Sequence, residues 1–404
     1  MSEPAGREAL AERTAQQFPW YRGLSGWDAA PPEPLPLITA SVLEAFYYTE
    51  DNPLARRSDL HCYRTSGTSS GLRKAIYYSG RDEAAYLRIK ERVFRNILGD
   101  RGYRTAVSDM GTGHAEATAS SVFQSLGMSV HTLSYRDPIE LHVERLKRIR
   151  PEVLYTMPSI LDRILLAADD PLAFGVRQVI LVGEVASPGW IGRAADRLGI
   201  EPEAIADTYG SIEIGTIAYY DHRHGRYLLT EGLEAEGIGA ESLGETYDPL
   251  PAGERVLVLT STVREAFPAL RYVTYDVVRD LRPIVVDGVR RQSFQSIVKR
   301  IGPDLKHGEK ISVYDIENAV YRHVRDAGVR INVEGNALRV HLYSVRTLDR
   351  TLLDRVRAEL QDRIPEIGAM IRSGILAGID VVAEAGFDDE RSRGAVKNKK
   401  IFYT

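Results

Sequence analysis

Short apolar runs alternate with amphipathic stretches between residues 105 and 198, and this alternation constrains the fold more than any other feature of the chain. The apolar runs have the length and β-branched content of strands, and they cover residues 105–107, 129–133, 153–156 and 178–182. The stretches between and after them place apolar residues three or four positions apart, as helices do, and cover residues 115–126, 138–149, 159–168 and 188–198. Strands that alternate with helices at short spacing predict an α/β fold with a mainly parallel sheet.

The pattern changes after about residue 208. Strand-like segments at residues 227–230, 255–260 and 284–286 are separated by Gly, Asp and Pro turns with no helix between them, which predicts antiparallel sheet or a small barrel. The last part of the chain mixes helices and strands again, as a small α+β domain does. Because the turn Gly302-Pro303-Asp304 precedes this part, we expect a large domain at residues 1–301 and a small mobile one at 302–404.

The composition excludes several classes of protein. At 404 residues, 44% hydrophobic and 27% charged, the chain is typical of a globular protein. A formal net charge of -4 argues against a nucleic-acid partner, since duplex binding needs a basic face. No apolar run is long enough to span a bilayer, and the N-terminus lacks the pattern of a signal peptide. Cys62 is the single cysteine, which argues against a disulfide framework and predicts a cytoplasmic enzyme.

A loop rich in glycine and hydroxyls, Thr65-Ser66-Gly67-Thr68-Ser69-Ser70-Gly71-Leu72-Arg73-Lys74, precedes the β-rich segment at residues 75–78. Its glycines let successive backbone N–H groups point inward, its hydroxyls add donors and its lysine adds a point charge. The loop is therefore predicted to bind a phosphate, although it lacks the ending of the P-loop of nucleoside triphosphatases. A flexible linker is the alternative interpretation, and the tyrosine-rich segments on both sides argue against it.

Four further segments follow this loop in the order found in adenylate-forming enzymes, and the chain resembles the phenylacetate–CoA ligase-like branch of that superfamily. The segments are Gly183-Glu184, Asp207-Thr208-Tyr209-Gly210-Ser211-Ile212-Glu213, the pattern from Leu259 through Arg271-Tyr272 and Thr274 to Asp276, and Gly308-Glu309-Lys310-Ile311. The resemblance spans nearly the whole chain. It implies that ATP and Mg²⁺ are used to activate a carboxylic acid as its acyl-adenylate.

The resemblance also implies which residues bind the nucleotide. They are Thr65, Ser66, Gly67, Thr68, Ser69, Gly71, Lys74, Gly183, Glu184, Asp207, Thr208, Tyr209, Gly210, Ser211, Asp276 and Arg300.

Four residues of this site are suited to the chemistry. Glu213 is a hard oxygen ligand for Mg²⁺, and Asp276 can accept both ribose hydroxyls. Tyr209 offers an aromatic face to adenine, while Gly183 keeps the floor of that pocket open. A surface glutamate and a core tyrosine are the alternative interpretations of Glu213 and Tyr209.

The catalytic cation is expected from the C-terminal tail. Gly394-Ala395-Val396-Lys397-Asn398-Lys399-Lys400-Ile401 resembles the closing motif of the family, which makes Lys397 the catalytic lysine and Lys399 the second choice. An ammonium on a flexible stem can neutralise charge between the carboxylate and the α-phosphate. A solvated basic tail is the alternative. His114, near the implied acid pocket, is a further catalytic candidate, unless it is only a helix-start histidine.

The chain departs from the family where the small domain begins. The usual Gly-Arg-x-Asp-Asp is replaced by Ile297-Val298-Lys299-Arg300-Ile301-Gly302-Pro303-Asp304-Leu305-Lys306, which leaves either Lys299 or Arg300 for the ribose and Asp304 for the hinge. The implied acyl acceptor is the thiol of CoA, with a carrier-protein phosphopantetheine or an amine as alternatives. A catalytically inactive nucleotide-binding protein is another alternative, and a homodimer is left open.

Overall fold

The structure is a computed structural model of the chain. It describes residues 4–24, 27, 31–64, 74–110, 114–244, 247, 249–301, 313–334, 337–344, 346–364, 367, 371–372, 377–384 and 401–403. The chain divides into two compact units, and each takes two separate stretches of sequence. Unit 1 contains Met1–Phe94 and Tyr209–Asp304, and unit 2 contains Arg95–Thr208 and Leu305–Thr404. Separate motion of residues 302–404 stays a prediction.

The helices of the described residues are α1 (Pro4–Gln17), α2 (Trp20–Gly23), α3 (Ala40–Phe46), α4 (Gly80–Leu98), α5 (His114–Ser125), α6 (Ile139–Ile149), α7 (Pro158–Ala167), α8 (Pro188–Leu198), α9 (Val313–Tyr321) and α10 (Arg350–Arg363). Short 3₁₀ helices lie at Pro53–Arg56, Pro171–Phe174, Pro202–Ala204 and Ala240–Leu243.

The strands are β1 (His61–Arg64), β2 (Ala75–Tyr78), β3 (Thr105–Asp109), β4 (Ser129–Thr132), β5 (Val153–Thr156), β6 (Gln178–Val182), β7 (Ile205–Ser211), β8 (Gly215–Asp221), β9 (Arg226–Leu229), β10 (Leu233–Ile238), β11 (Glu254–Ser261), β12 (Tyr272–Arg279), β13 (Arg282–Val286), β14 (Val289–Phe294), β15 (Ser296–Arg300), β16 (Ala327–Glu334), β17 (Ala337–Ser344), β18 (Gly378–Glu384) and β19 (Ile401–Tyr403).

Unit 2 contains the predicted parallel sheet. Strands β4, β3, β5, β6 and β7 lie side by side in that order, and each neighbouring pair is parallel. The α/β prediction is therefore confirmed. The register brings Asp109 beside Thr156, and Val182 beside Thr208, at the carboxyl ends of the strands. This edge is where open α/β sheets bind ligands.

Helix α8 shows how the local sequence specifies an element. The Ser187 side chain accepts a hydrogen bond of 3.1 Å from the Trp190 backbone N–H, and Pro188 occupies the first turn. Gly199, at φ +66°, ends the helix in the left-handed conformation that glycine adopts without cost. These signals explain why the helix predicted at residues 188–198 has the bounds Pro188–Leu198 in the structure.

The C-terminal part of unit 2 forms its own four-stranded sheet, ordered β18, β17, β16 and β19. Helix α9 beside it packs against α8. Gly189 donates its backbone N–H to Asn318 Oδ1 at 3.0 Å. Arg193 forms a buried ion pair with Asp162, and its guanidinium lies 5.7 Å from the centre of the Tyr321 ring. The predicted small α+β domain is thus present as a sheet with flanking helices.

Unit 1 is built from antiparallel sheet, as predicted. Strands β10, β11, β12 and β15 form one set, and β13, β14, β9 and β8 form another. Strands β1 and β2 pair as a separate hairpin. The core joins aromatic residues of the first eighty positions, such as Tyr47, to apolar residues of β11, β12 and β14. Among the described helices, none is both long and apolar enough to cross a membrane.

Candidate active site

Asp276 in unit 1 contacts two other predicted site residues, Arg300 and Tyr209. It lies on β12, directly opposite Arg300 on β15, and the Arg300 Nη1 atom is 3.9 Å from Asp276 Oδ1. The Tyr209 hydroxyl donates to Asp276 Oδ2 at 2.6 Å. The charge of Asp276 raises the pKa of Arg300, while burial raises the pKa of Tyr209. Of the two candidates for the ribose contact, Arg300 is therefore the one that lies opposite Asp276. Lys299 lies opposite Val277 instead.

The structure shows contacts of both the ring and the hydroxyl of Tyr209, which the sequence did not indicate. Its ring stands edge-on to Phe294, with centroids 6.1 Å apart and planes at 87°. Its hydroxyl is committed to Asp276, so the side chain is fixed at both ends. Contact of the ring with adenine stays a prediction.

The turn between β7 and β8 presents Glu213. A Cβ atom at Gly210 would lie 2.6 Å from the Gly215 carbonyl oxygen, so only glycine fits this position without a shift. The Ser211 hydroxyl accepts a hydrogen bond of 3.3 Å from the Ile214 backbone N–H. These two predicted site residues therefore shape the turn that carries Glu213.

The carboxylate of Glu213 is the kind of oxygen ligand that Mg²⁺ prefers. The residue is half-buried, and among the described residues no hydrogen bond or ion pair occupies its carboxylate. No group of three or more His, Cys, Asp or Glu side chains converges within the described part of the chain. Magnesium bound beside nucleotide phosphates typically needs only one or two carboxylates, because water and phosphate supply the other ligands. Glu213 therefore stays the predicted ligand of Mg²⁺.

Lys74, the last residue of the glycine loop, lies against Tyr48. Its Nζ atom is 5.0 Å from the centre of the Tyr48 ring and 3.5 Å from Glu44 Oε1. Burial, and to a smaller extent the charge of Glu213, raises the pKa of Tyr48. Sequence reasoning missed Tyr48, which belongs to no motif and follows α3. The other loop residues, at positions 65–73, lie outside the described residues.

The site residues of unit 2 are at the carboxyl edge of the parallel sheet. Gly183 follows β6 with φ +84°, and Glu184 accepts hydrogen bonds of 2.8 Å from both the backbone N–H and the hydroxyl of Ser159. Glu184 thus holds the first turn of α7, where a carboxylate is favoured by the helix dipole. Asp207 is buried, and the Thr208 hydroxyl donates to the Leu181 carbonyl at 2.5 Å. A direct contact of these residues with nucleotide stays a prediction.

A buried histidine–aspartate pair at the same edge was not anticipated. His142 Nδ1 lies 3.0 Å from Asp109 Oδ2, and both side chains are buried. Burial opposes charge on His142, but the hydrogen bond and charge of Asp109 outweigh it and raise the histidine pKa. No sequence motif marks this pair, because its members are 33 residues apart. His114 begins α5, and its side chain is not among those that the structure describes.

The catalytic lysine expected from the tail is not placed by the structure. Lys397 and its neighbour Lys399 lie outside the described residues, as does Asp304. Cys62 is exposed on β1. The roles of the tail lysines therefore stay predictions.

Comparison with known proteins identifies the fold and the family. The family model of the fumarate–diaminopropanoate ligase C-terminal domain matches residues 306–387. A fumarate–(S)-2,3-diaminopropanoate ligase of Enterobacter agglomerans is 35% identical over 381 residues, which cover 93% of each chain. A 2-hydroxyisobutyryl-CoA ligase in its postadenylation state has the same fold, with a TM-score of 0.74 and 16% identity over 99% of this chain and 88% of that one.

An anthranilate CoA ligase in complex with anthranoyl-AMP is a more distant neighbour, with a TM-score of 0.53 and 16% identity over 81% of this chain and 64% of that one. These relatives leave the narrower resemblance to the phenylacetate–CoA ligase-like branch a prediction. The long match to the curated ligase is sufficient for the family. The chain belongs to the adenylate-forming ligases, in the family of fumarate–(S)-2,3-diaminopropanoate ligase.

Proposed function

We propose that this protein uses ATP to activate a small organic acid as its acyl-adenylate and then joins the acyl group to an amine. The observation that carries the proposal is the array of Asp276, Tyr209 and Arg300, together with Glu213 on the turn that follows the strand of Tyr209. The negative charge of Asp276, and to a smaller extent that of Glu213, raises the pKa of Arg300. A ribose-binding acid and a metal-binding acid are the pair that a site for Mg²⁺ and ATP requires.

The first half-reaction brings two anions together. A carboxylate oxygen attacks the α-phosphorus of ATP, the bond to the β-phosphate breaks, and pyrophosphate leaves. When bound, Mg²⁺ would neutralise phosphate charge in this step. Asp276 would hold the ribose, with Tyr209 and Arg300 holding Asp276 in place. Lys397 would bring its ammonium to the reacting phosphate and stabilise the charge that develops there.

The second half-reaction would transfer the acyl group to nitrogen. The amine attacks the acyl carbon, loses a proton, and AMP leaves. The name of the 35% identical relative pairs a dicarboxylic acid with a diamino acid, which favours an amine over a thiol as acceptor. The acid proposed here is therefore a short dicarboxylate of the fumarate type. The cytoplasmic location expected from the lone cysteine is part of the same proposal.

A two-stage assay tests the proposal. Pyrophosphate exchange with a panel of mono- and dicarboxylic acids reports adenylation, and mass spectrometry after addition of 2,3-diaminopropanoate, other amino acids or CoA identifies the acceptor. We expect exchange with short dicarboxylates and an amide product. A thioester with CoA would show that the acceptor proposed from the resemblance is correct and the amine wrong. Absence of exchange with every acid would refute adenylation itself.

A further inference from the structure

A buried arginine that the proposed mechanism does not use reaches the backbone of Glu213. Arg264, which follows β11, is 6% exposed. Its Nε atom donates to the Glu213 carbonyl oxygen at 2.8 Å, and its Nη2 atom donates to the Tyr77 carbonyl oxygen at 3.1 Å. One guanidinium therefore connects the turn that carries Glu213 to strand β2.

Tyr78 holds the neighbouring peptide of the same turn. Its hydroxyl donates to the Ile212 carbonyl oxygen at 2.7 Å. The guanidinium carbon of Arg264 lies 3.7 Å from the centre of the Tyr78 ring, so the two side chains are stacked. The carbonyls of Ile212 and Glu213 are consecutive, and both are fixed by this stacked pair. The backbone before and after the Glu213 side chain thus has little freedom to shift.

Asp82 at the start of α4 fixes the arginine in turn. Its Oδ2 atom is 2.6 Å from Arg264 Nη1, and both side chains are buried. The same carboxylate accepts backbone hydrogen bonds from Ser79 at 2.9 Å, Glu265 at 2.7 Å and Ala266 at 3.0 Å. A carboxylate with this many donors is a rigid anchor. Strand β2, helix α4 and the segment after β11 therefore meet at one polar cluster, which Arg264 connects to the backbone of Glu213.

We infer that Arg264, together with Tyr78, is a positioning residue that aims the Glu213 carboxylate at the metal ion of the Mg²⁺–ATP complex. The inference rests on the proposed function, because it takes Glu213 as the metal ligand. A buried ion pair is weak evidence for stability, since apolar side chains of similar volume often stabilise a core as well. Here the donors of Arg264 and Tyr78 go to the two carbonyls that flank the predicted ligand. Ligand groups must be held to within about 0.5 Å, and supporting hydrogen bonds achieve this.

The choice of arginine follows from its geometry. Its planar fork reaches Glu213, Tyr77 and Asp82 at once, whereas a lysine offers one compact ammonium. Arg264→Lys keeps the charge next to Asp82 but gives up part of this fork. Tyr78→Phe removes a single oxygen atom and leaves the ring stacking in place. The two variants therefore loosen the same turn in different ways.

The test measures metal binding directly. Mn²⁺ binding is followed by electron paramagnetic resonance with a non-hydrolysable ATP analogue present, and AMP binding without metal is followed by calorimetry. We expect R264K and Y78F to weaken Mn²⁺ binding by about 10-fold, the usual effect of removing a supporting hydrogen bond at a metal site. Metal-free AMP binding should stay at the wild-type value, because Asp276 and Tyr209 are untouched.

Arg226→Lys is the matched control. Arg226 is also 6% exposed in unit 1 and pairs with Asp280 at 2.6 Å, but it contacts neither Ile212 nor Glu213. R226K should leave Mn²⁺ binding unchanged. If R264K and Y78F behave like R226K, the inference is wrong while the proposed function stands. If Glu213→Gln also leaves Mn²⁺ binding unchanged, the metal role of Glu213 fails and the inference fails with it. If R264K loses AMP binding because it misfolds, the Mn²⁺ affinity of Y78F decides whether the inference holds.

Discussion

The Tyr209 hydroxyl donates a hydrogen bond of 2.6 Å to Asp276, which ties the end of β7 to the middle of β12 within unit 1. Arg300 approaches the other carboxylate oxygen at 3.9 Å. The acid that the resemblance assigns to ribose binding is therefore held from two sides.

Replacing Tyr209 by phenylalanine should weaken AMP binding by about 5- to 10-fold. The ring would still pack against Phe294, but Asp276 would lose one hydrogen bond. Because Tyr209 acts on AMP only through Asp276, we expect only part of the about 1.5–3 kcal/mol of a bond to a charged group to be lost from AMP binding. Calorimetry with AMP measures the effect. Asp276→Ala is the reference and should cost about 1.5–3 kcal/mol of binding free energy. Wild-type affinity in Y209F would mean that Asp276 needs no support from Tyr209.

Replacing Gly189 by alanine should loosen the contact between α8 and α9. A Cβ atom there would lie 3.0 Å from Tyr321 Cβ and 3.2 Å from Asn318 Oδ1, which is closer than ordinary packing. We expect a loss of about 1–3 kcal/mol in the free energy of unfolding, measured in urea. Gly192 lies in the same helix with no atom within 4 Å of its added Cβ, so Gly192→Ala is the control and should stabilise by up to about 1 kcal/mol. Equal stability of the two variants would contradict tight packing at Gly189.

Replacing Lys90 by methionine should stabilise the protein most at and below about pH 7, and less as the pH rises above it. Lys90 is 3% exposed, and burial lowers its pKa from 10.5 to about 7. Between these values the unfolded chain binds more protons than the folded one, so wild-type stability should rise with pH across that window. The methionine variant lacks this rise. Its advantage should be largest at and below pH 7, where the two pKa values correspond to about 4–5 kcal/mol, and should shrink towards pH 10. Urea denaturation at several pH values checks this, and a pH-independent difference would argue against a neutralised lysine.

Replacing Lys397 by alanine should slow adenylation by about 10²–10³-fold, the usual loss when one preorganised electrostatic donor is removed. Acyl-adenylate supplied chemically should still be transferred to the acceptor at nearly the wild-type rate. Lys399→Ala and Lys400→Ala control for the general loss of tail charge. A sensitive Lys399 would move the catalytic position by two residues, and insensitivity of all three lysines would leave the tail without a catalytic role.

The sequence predicted those parts of the fold and site that are local in the chain. Helix α8 carries its own start and stop signals, and its bounds were predicted correctly. Glu213 and Asp276 lie in contiguous motifs, so both could be named as candidates without a structure. The choice between Lys299 and Arg300 could not be made, because neighbouring residues of a strand face opposite sides and only the pairing register decides between them.

The supporting residues of the site were not predictable in this way. Arg264 is 51 positions from Glu213, and Asp82 is 183 positions from Glu265. Their contacts depend on how β2, α4 and the segment after β11 pack together. The role of the Tyr209 hydroxyl depends on the direction of a side chain, which periodicity does not specify. The motifs therefore name the candidate site residues, while the packing shows which side chains contact them.

The division of unit 1 into two stretches of chain has a consequence for protein synthesis. Tyr47 donates its hydroxyl to the Ala266 carbonyl oxygen at 2.7 Å, and much of the surrounding apolar cluster comes from residues beyond Tyr209. The ribosome must add Arg95–Thr208 before the second stretch of unit 1 even begins to emerge. At ordinary translation rates that interval is on the order of ten seconds. During this time the aromatic surface of the first ninety residues is uncovered, and chaperones have a defined segment to shield.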